Sequence, residues 1–185
     1  MAKKGQILTN PQTGDVFEFL ETSGDNNGAK VVIKTTLKAK GQIVPNHIHV
    51  FQDESFEVIS GSLTVWSEGK TFSLSEGQSI NLPKNKPHNH FNSEDQPVTY
   101  IHTVSPALDF EYLVENLVGL AADGKSKNGK YGMLQELVTL KYLDSKAYLA
   151  NIPIGPQKFL MNTIAPLARV FGYRAIYRKY SGIEK

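Results

Sequence analysis

The stretch GQIVPNHIHVFQDESFEVISG (residues 41–61) carries two histidines at a spacing that decides how the rest of this chain is interpreted. His47 and His49 lie two residues apart, and the apolar residues Ile43 and Ile48 next to them are typical of a β-strand. Side chains at i and i+2 of a strand point to the same face. Both imidazoles are therefore able to reach one ion.

A carboxylate follows the two histidines in the same stretch. Glu54 lies five positions beyond His49, and strict alternation would send it to the opposite face. We therefore expect a bend or bulge within residues 50–53 that turns Glu54 towards the imidazoles. If Glu54 points inward, alternation turns the rival carboxylate, Glu57, outward to the surface.

Composition limits the chemistry of such a site. The chain has 185 residues, 40% of them hydrophobic and 21% charged, which predicts one globular domain or a domain with an appendage. Cysteine is absent, so any metal site must be built from imidazole and carboxylate. No stretch approaches the length of a membrane span, and we expect a soluble cytoplasmic protein with no transmembrane segment.

The pattern of the chain changes near Pro106. Before it, short runs with alternating hydrophobicity are separated by turn residues, which predicts many short strands in a sandwich or small barrel. Besides the histidine strand, the runs are 7–9, 16–22, 29–37, 55–60, 63–67, 71–74, 79–82, 88–92 and 98–104.

After Pro106 the apolar residues recur at the helical period. We expect a helix that starts at Phe110 and ends before Asp123, and further helices over 133–142 and 157–171, the last kinked at Pro166. Residues 125–132 (KSKNGKYG) are predicted to form a loop. The expected organisation is thus a barrel over residues 1–106 and a helical extension over 107–185, packed on the barrel or at a dimer interface.

Charge is divided unevenly between these two parts. Residues 1–106 hold nine Lys and eleven Asp or Glu, whereas residues 107–185 hold eleven Lys or Arg and seven Asp or Glu. No DNA-binding helix-turn-helix is apparent, so we expect a solvated basic face and no nucleic-acid partner. Residues 158–174 (KFLMNTIAPLARVFGYR) would suit a membrane surface or a partner groove, but burial against the barrel or a second subunit is favoured.

A second stretch, GQSINLPKNKPHNHFN (residues 77–92), supplies a further histidine. Glycine and two prolines set a tight turn, after which His88, His90 and Asn92 share one face of a new strand. His88 is the natural fourth ligand. Three neutral imidazoles and a carboxylate suit Fe(II) or Mn(II), and also Ni(II), Co(II) or Zn(II), with room left for water or substrate at a five- or six-coordinate ion.

Together these stretches resemble the two motifs of the cupin superfamily, and specifically its single-domain conserved-barrel members. The first motif, G-x5-H-x-H-x4-E-x6-G, is matched at every fixed position, by Gly41, His47, His49, Glu54 and Gly61. The second, G-x5-P-x-G-x2-H-x3-N, is matched by Gly77, Pro83, His88 and Asn92, with Asn85 where the family has glycine. Asparagine is the best substitute for glycine at a left-handed turn position, so we expect the turn to be kept.

The resemblance implies a small double-stranded β-barrel (a cupin jelly roll) over about residues 5–106, with a metal inside one mouth held by His47, His49, Glu54 and His88. It does not choose a reaction, because cupins include dioxygenases, isomerases, epimerases, storage proteins and ligand-sensing domains. Such barrels commonly pair across a two-fold axis, and we expect a homodimer.

Three more side chains are candidates for proton handling. His90 shares a face with His88, while Tyr100 and His102 alternate together on the last strand of the barrel. The alternative for each is a hydrogen-bonded residue that fills the barrel. We expect a metal-dependent enzyme that carries out dioxygenase-like oxidation of a small organic molecule; the alternatives are a non-catalytic binding or sensing module and a cupin isomerase or epimerase.

Overall fold

A computed structural model describes residues 2–38, 40–41, 44–127 and 130–185 of the chain; Ile43, which we expected beside the histidine strand, lies outside them. The described residues form strands and helices whose bounds are β1 (Ile7–Thr9), β2 (Val16–Glu21), β3 (Val31–Leu37), β4 (His47–His49), β5 (Asp53–Ser60), β6 (Ser62–Ser67), β7 (Lys70–Ser75), β8 (Ser79–Leu82), β9 (His88–Phe91), β10 (Val98–Ser105), α1 (Phe110–Ala122), β11 (Ser126–Lys127), β12 (Lys130–Tyr131), α2 (Met133–Tyr142), β13 (Ala147–Leu149), α3 (Ile154–Val170) and α4 (Arg178–Ser181). A short 3-10 turn spans Ser23–Asp25.

Two antiparallel sheets make up the barrel. One has six strands in the order β1-β2-β3-β10-β5-β8, and the other has five in the order β13-β4-β9-β6-β7. Successive strands alternate between the sheets from β3 to β6 and again from β7 to β10, as in a jelly roll, whereas β1–β3 and β6–β7 pair within one sheet. The histidine strand β4 and the strand β9 lie in one sheet, and β5 and β10 lie in the other, so a site built from all four strands lies between the two sheets.

The fold class expected from the sequence, an all-β double-stranded barrel with a C-terminal helical extension, is confirmed. Each expected strand begins and ends within two residues of its predicted bounds. The expected break after His49 is present, since β4 ends there and β5 starts at Asp53. Asn85 has φ 66°, the left-handed conformation predicted for it.

One local prediction is wrong. The segment 125–132 was expected to be a loop, but its described residues form the two-stranded ribbon β11–β12, with Ser126 paired to Tyr131 and Lys127 to Lys130; residues 128 and 129 lie outside the described residues. The Tyr131 hydroxyl donates a hydrogen bond to the Leu117 carbonyl, 2.7 Å away. This contact holds the ribbon against α1, and it cannot be read from turn residues alone.

The barrel interior has two apolar clusters with a polar layer between them. The inward residues of β10 show how these layers follow one another along the strand. Val98 and Tyr100 belong to the first apolar cluster, His102 comes next, and Val104 belongs to the second apolar cluster. The first cluster also includes Phe56, Val58, Leu63, Val65, Leu74 and Leu82; the second also includes Phe19, Val31, Ile33, Ala107, Phe110 and Val114. We call the polar layer the histidine layer; it consists of His47, His49, Glu54, His88, His90 and His102.

The extension is attached to the barrel through α1 and β13. Phe110 and Val114 of α1 complete the second apolar cluster, so the helix closes that end of the barrel. Glu111, also buried, accepts hydrogen bonds from the backbone and the hydroxyl of Ser23 at 2.8 and 2.9 Å. β13 pairs with β4, which makes it a strand of the five-stranded sheet. The domain boundary at residue 106 stays a prediction, although β10 does end at Ser105.

The helix α3 packs mainly on α2, and near its start Gln157 exchanges two hydrogen bonds of 2.9 Å with the backbone of Leu149 in β13. The buried residues of α3 are Gln157, Met161, Ala165 and Ala168, a stripe with helical spacing that faces a third cluster containing Val138 and Leu143. The rest of its surface is largely exposed. The expectation that the barrel buries the apolar residues of this segment is wrong for its outer side, while burial by a second subunit stays a prediction. None of the helices in the described part of the chain has the length and hydrophobicity needed to cross a membrane.

Candidate metal centre

Three imidazoles and one carboxylate meet between the two sheets. His47 and His49 come from β4, His88 from β9 and Glu54 from β5, and their ligand atoms all lie within 4.8 Å of one another. None of the four residues is more than 9% exposed. Two ligands of one transition-metal ion lie at most about 4.4 Å apart, since each bond is about 2.0–2.2 Å long. Small side-chain movements are enough to bring the four groups to such an ion.

Backbone carbonyls fix the orientation of two of the imidazoles. His47 Nδ1 lies 2.8 Å from the carbonyl oxygen of Pro45, and His88 Nδ1 lies 2.9 Å from that of Lys86. A carbonyl only accepts hydrogen bonds, so each Nδ1 carries the proton and each Nε2 presents a lone pair in the neutral ring. This is the tautomer that a metal-binding histidine needs, held by the kind of outer contact that metal ligands usually have.

The carboxylate of Glu54 is surrounded by imidazole nitrogens. Its Oε2 lies 3.1 Å from His88 Nε2, and its Oε1 lies 3.3 Å from His49 Nε2 and 3.2 Å from His102 Nε2. The lone pair on His88 Nε2 and the carboxylate anion repel each other unless a cation lies between them. A proton or a metal ion meets that need, and the donor set of three imidazoles and one carboxylate fits a divalent transition metal.

Burial sets the charge states of the cluster. It lowers the pKa of His47 to about 4, with help from the neighbouring His49, and it also lowers the pKa of His49. Burial alone would raise the pKa of Glu54, but His49 and His102 hold that pKa well below its usual range. Burial would likewise lower the pKa of His88, yet the contact with Glu54 outweighs it and raises this pKa. His47 and His49 are therefore set as neutral ligands beside an anionic Glu54, while Glu54 favours a positive charge at His88, which either a proton or a bound cation supplies.

The structure places the three residues expected to handle protons in or beside the histidine layer. His102 contacts the Glu54 carboxylate as described above. The His90 ring lies 4.4 Å from Phe56 and 5.6 Å from both Tyr100 and His102, and burial lowers its pKa to about 3. Tyr100 is 1% exposed within the first apolar cluster, and burial raises its pKa well above the usual value. All five histidines of the chain thus come together at one place.

Two further expectations from the sequence are met. Glu57 lies three residues after buried Glu54, on the opposite face of β5, and it is exposed as expected for a surface residue. Asn92 supports the turn that follows β9: its amide donates to the carbonyl of Gln96 at 3.0 Å and its Oδ1 accepts from the backbone of Glu94 at 2.9 Å. Neither residue belongs to the ligand cluster.

Sequence reasoning missed Gln52, which lies in the bend between β4 and β5. Its Nε2 donates to the carbonyl oxygens of Pro106 and Ala107 at 2.9 and 3.1 Å. Within the described part of the chain, Gln52 Oε1 and His49 Nδ1 are both buried and neither has a hydrogen-bond partner. The Gln52 side chain nevertheless lies near enough to His49 to oppose the lowering of its pKa. Gln52 Oε1 is an acceptor, and His49 Nδ1 is a donor when the lone pair of that ring is on its Nε2. A small shift would therefore join the two atoms in a hydrogen bond.

Two contributions of the extension were also missed. β13 pairs with the ligand strand in register, Ala147 opposite His49 and Leu149 opposite His47. The ring of Phe110, at the start of α1, lies 5.4 Å from His102 and 6.3 Å from His49. Both contacts join residues far apart in the chain, so the local sequence pattern does not predict them.

Fold and site together define a double-stranded β-barrel protein with three histidines and one glutamate clustered between its sheets. Residues 34–104 match the family model of the cupin domain. This part of the chain is therefore a cupin domain of the conserved-barrel type, and it contains all four clustered residues.

Comparison with individual proteins gives more distant similarities. The chain is 24% identical over 78 residues to quercetin 2,3-dioxygenase of Bacillus subtilis (strain 168), which is 42% of this chain but only 23% of the length of that enzyme. Among solved structures, KdgF from Halomonas sp. has a TM-score of 0.49 at 18% identity, covering 56% of this chain and 89% of its own. A cupin-superfamily sugar phosphate isomerase from Silicibacter pomeroyi DSS-3 has a TM-score of 0.44 at 22% identity, covering 52% of this chain and 62% of its own.

Proposed function

We propose that His47, His49, Glu54 and His88 bind one divalent transition-metal ion, and that the chain is a metal-dependent enzyme acting on a small organic molecule. The observation that carries the proposal is the convergence of four buried ligand atoms within 4.8 Å of one another. A buried carboxylate facing imidazole lone pairs is costly without a cation, and a bound ion removes that cost. Fe(II) and Mn(II) are our first choices, followed by Ni(II), Co(II) and Zn(II).

Dioxygenase-like oxidation is the reaction that we favour. A bound ion of this type would supply Lewis-acid and redox chemistry to an enolate, hydroxyl or carboxylate of the substrate. The similarity to quercetin 2,3-dioxygenase supports this choice, although it spans less than half of this chain. The protein's own part is to hold His47 and His49 neutral and Glu54 ionised, and to keep bulk water out of a layer between two apolar clusters.

His102 is the best placed of the three candidates for proton transfer. Its Nε2 lies 3.2 Å from Glu54 Oε1, at the edge of the ligand cluster and beside the ring of Phe110. An imidazole in this place is able to exchange a proton with a substrate without leaving the layer. His90, with its pKa near 3, stays neutral, and Tyr100, with its raised pKa, keeps its proton; both are better suited to lining and orienting than to acid–base exchange.

Metal content tests the first part of the proposal. Protein purified without a nickel column should hold close to one ion per chain, and Glu54→Ala should lose it. The matched control is Glu57→Ala, which removes an exposed carboxylate from the same strand and should keep the ion. An empty wild-type protein, or equal occupancy in both variants, would contradict metal binding at this site.

Oxygen consumption tests the reaction. The Fe(II)-loaded protein, incubated with a panel of enols, diketones and catechols, should consume oxygen with at least one of them, and His102→Asn should lower kcat more than it lowers metal content. Metal-loaded protein that is silent across the panel would favour the second candidate function.

That second candidate is a binding or sensing module, and the pairing of β13 with the ligand strand favours it. Val50 N donates to Lys146 O at 3.0 Å and Ala150 N donates to Asn46 O at 2.9 Å, so the extension is hydrogen-bonded along the whole of β4. A shift of His47 or His49 on ligand binding would reach the helices through this ladder. A homodimer, the cytoplasm and the absence of a nucleic-acid partner stay predictions.

A further inference from the structure

The helix α3 exposes a large apolar surface. Phe159, Leu160, Leu167, Val170 and Phe171 are 67%, 44%, 64%, 82% and 81% exposed. At about 100° per residue they lie on the sides of α3 turned away from its buried stripe. We call these five residues the α3 apolar face. Scattered exposed hydrophobic residues are ordinary, but a cluster of large ones on a single helix marks a surface that another body covers.

Basic residues predominate in the segment that carries this face, although Arg174 pairs with Glu184 and Lys179 pairs with Asp123. Residues 145–183 contain six Lys or Arg residues and no Asp or Glu. Lys158 and Arg178 are exposed, and neither forms an ion pair among the described residues. Lys158 and Arg169 lie over the rings of Tyr148 and Tyr142, 5.8 and 4.4 Å from the ring centres, at helix positions between the buried stripe and the apolar face. The covering body must therefore accept both hydrophobic side chains and a positive field.

We propose that the α3 apolar face docks on the surface of an anionic lipid bilayer. α3 is a preformed helix with large apolar residues on one side, with Lys158 and Arg169 nearer its packed side, and with no carboxylate. Helices with an apolar face and basic residues on the remaining surface lie in the membrane interface. The 17 residues of α3 span about 25 Å, so the helix lies along the surface with its apolar side chains in the headgroup region. Its other side is already packed on α2, and the segment does not have to fold in order to bind.

Charge also argues against a second copy of the chain on this face. Two copies would bring two positive segments together with no carboxylate from residues 145–183 to pair with them. Anionic lipid headgroups supply the opposite charge and attract each nearby Lys or Arg. The bilayer is thus the occupant that matches both properties of the face.

Vesicle flotation of the full chain tests the proposal directly. The protein should float with vesicles of phosphatidylcholine and phosphatidylglycerol at roughly three to one, at least about tenfold more than with phosphatidylcholine alone. High salt should weaken the binding, because it screens the lysines and arginines. Lys158→Gln with Arg178→Gln should remove most of the preference for the anionic vesicles.

A matched pair of variants distinguishes vesicle binding by the α3 apolar face from nonspecific hydrophobic binding. Leu167→Glu should abolish flotation, whereas Ile7→Glu, which changes a 59% exposed aliphatic residue on β1 by the same charge, should float like the wild type. Equal loss in both variants, or no flotation of the wild type with anionic vesicles, would overturn the proposal. A wild-type dimer in light scattering that becomes a monomer in Leu167→Glu, without vesicle binding, would assign the face to a second copy instead.

Discussion

The histidine layer gathers five imidazoles and a carboxylate among apolar side chains, whereas the α3 apolar face holds five large hydrophobic side chains out in solvent. Each region reverses the ordinary sorting of residues, and each is incomplete without something else. The first offers lone pairs and a carboxylate that a cation would bind, and the second offers an apolar surface that a partner would cover. We therefore look for function in these two regions first.

Metal removal should have the largest effect on the histidine layer. At a free metal concentration about 1,000 times Kd, binding stabilises the folded state by about 4 kcal/mol, or about 8–16 °C in Tm for a chain of this size. Chelation should remove that stabilisation from the wild type, as scanning calorimetry would show. Glu54→Ala should melt at the same temperature with and without chelator; a chelator effect of equal size in this variant would mean that the ion binds elsewhere.

Acid should act next, on the chelated protein, through His47. Its pKa of about 4 in the folded protein lies below the unfolded value of 6.5, so the unfolded state binds more protons between these pH values. The stability that His47 contributes is complete above about pH 6.5 and is lost as the pH falls towards 4, by about 3 kcal/mol in full. Urea unfolding at several pH values should show a shallower fall for His47→Gln than for the wild type, and parallel curves would contradict the assignment.

Two substitutions on opposite sides of α3 should differ in cost. Met161→Ala, at a position 4% exposed, should destabilise the protein by about 2 kcal/mol because it leaves a cavity on the buried side of α3. Leu167→Ala, at a position 64% exposed, should change stability by less than about 0.5 kcal/mol. Denaturant midpoints measure both, and an equal cost would mean that the α3 apolar face is covered within the protein itself.

Gln52 should have the smallest effect, and it should act on metal affinity. If its amide oxygen holds the Nδ1 proton of His49 when the ion is bound, Gln52→Leu should weaken binding about tenfold, or about 1.4 kcal/mol. Gln52→Glu keeps an acceptor towards His49 but loses the donor to Pro106 and Ala107, so it should retain affinity. Competition with a coloured chelator measures the metal affinity of both variants. A loss in Gln52→Glu equal to that in Gln52→Leu would assign the effect to the hydrogen bonds with Pro106 and Ala107 instead.

Much of the barrel and of its site was predictable because the signals are local. Alternation of hydrophobic residues fixed the strands, and the spacing of His47, His49 and Glu54 required the break that separates β4 from β5. The left-handed Asn85 followed from its place in a tight turn, and its backbone N–H does donate to the His49 carbonyl at 2.7 Å. Such features depend on a few neighbouring residues, so they can be predicted from a short stretch of sequence.

The extension was predictable in its helices but not in its contacts. The stripe of α1 predicted a helix from Phe110, yet not that this ring lies beside His102 and His49. The short segment of β13 has no strand signal of its own, because its pairing with β4 stabilises it. The same limit applies to α3, whose apolar residues were expected to be covered and are exposed on one side.

By itself, the sequence determined which residues could form a metal site in this protein: with no cysteine, only histidines and carboxylates remain, and the two motifs place four of them on inward faces. Tertiary structure decided how those residues are held. It set Glu54 among three imidazoles, sealed the layer with α1, laid β13 along the ligand strand and left one side of α3 bare. The physical reason is distance along the chain: alternation and turn geometry act between neighbours, while sheet order and helix packing depend on the free energy of the whole fold.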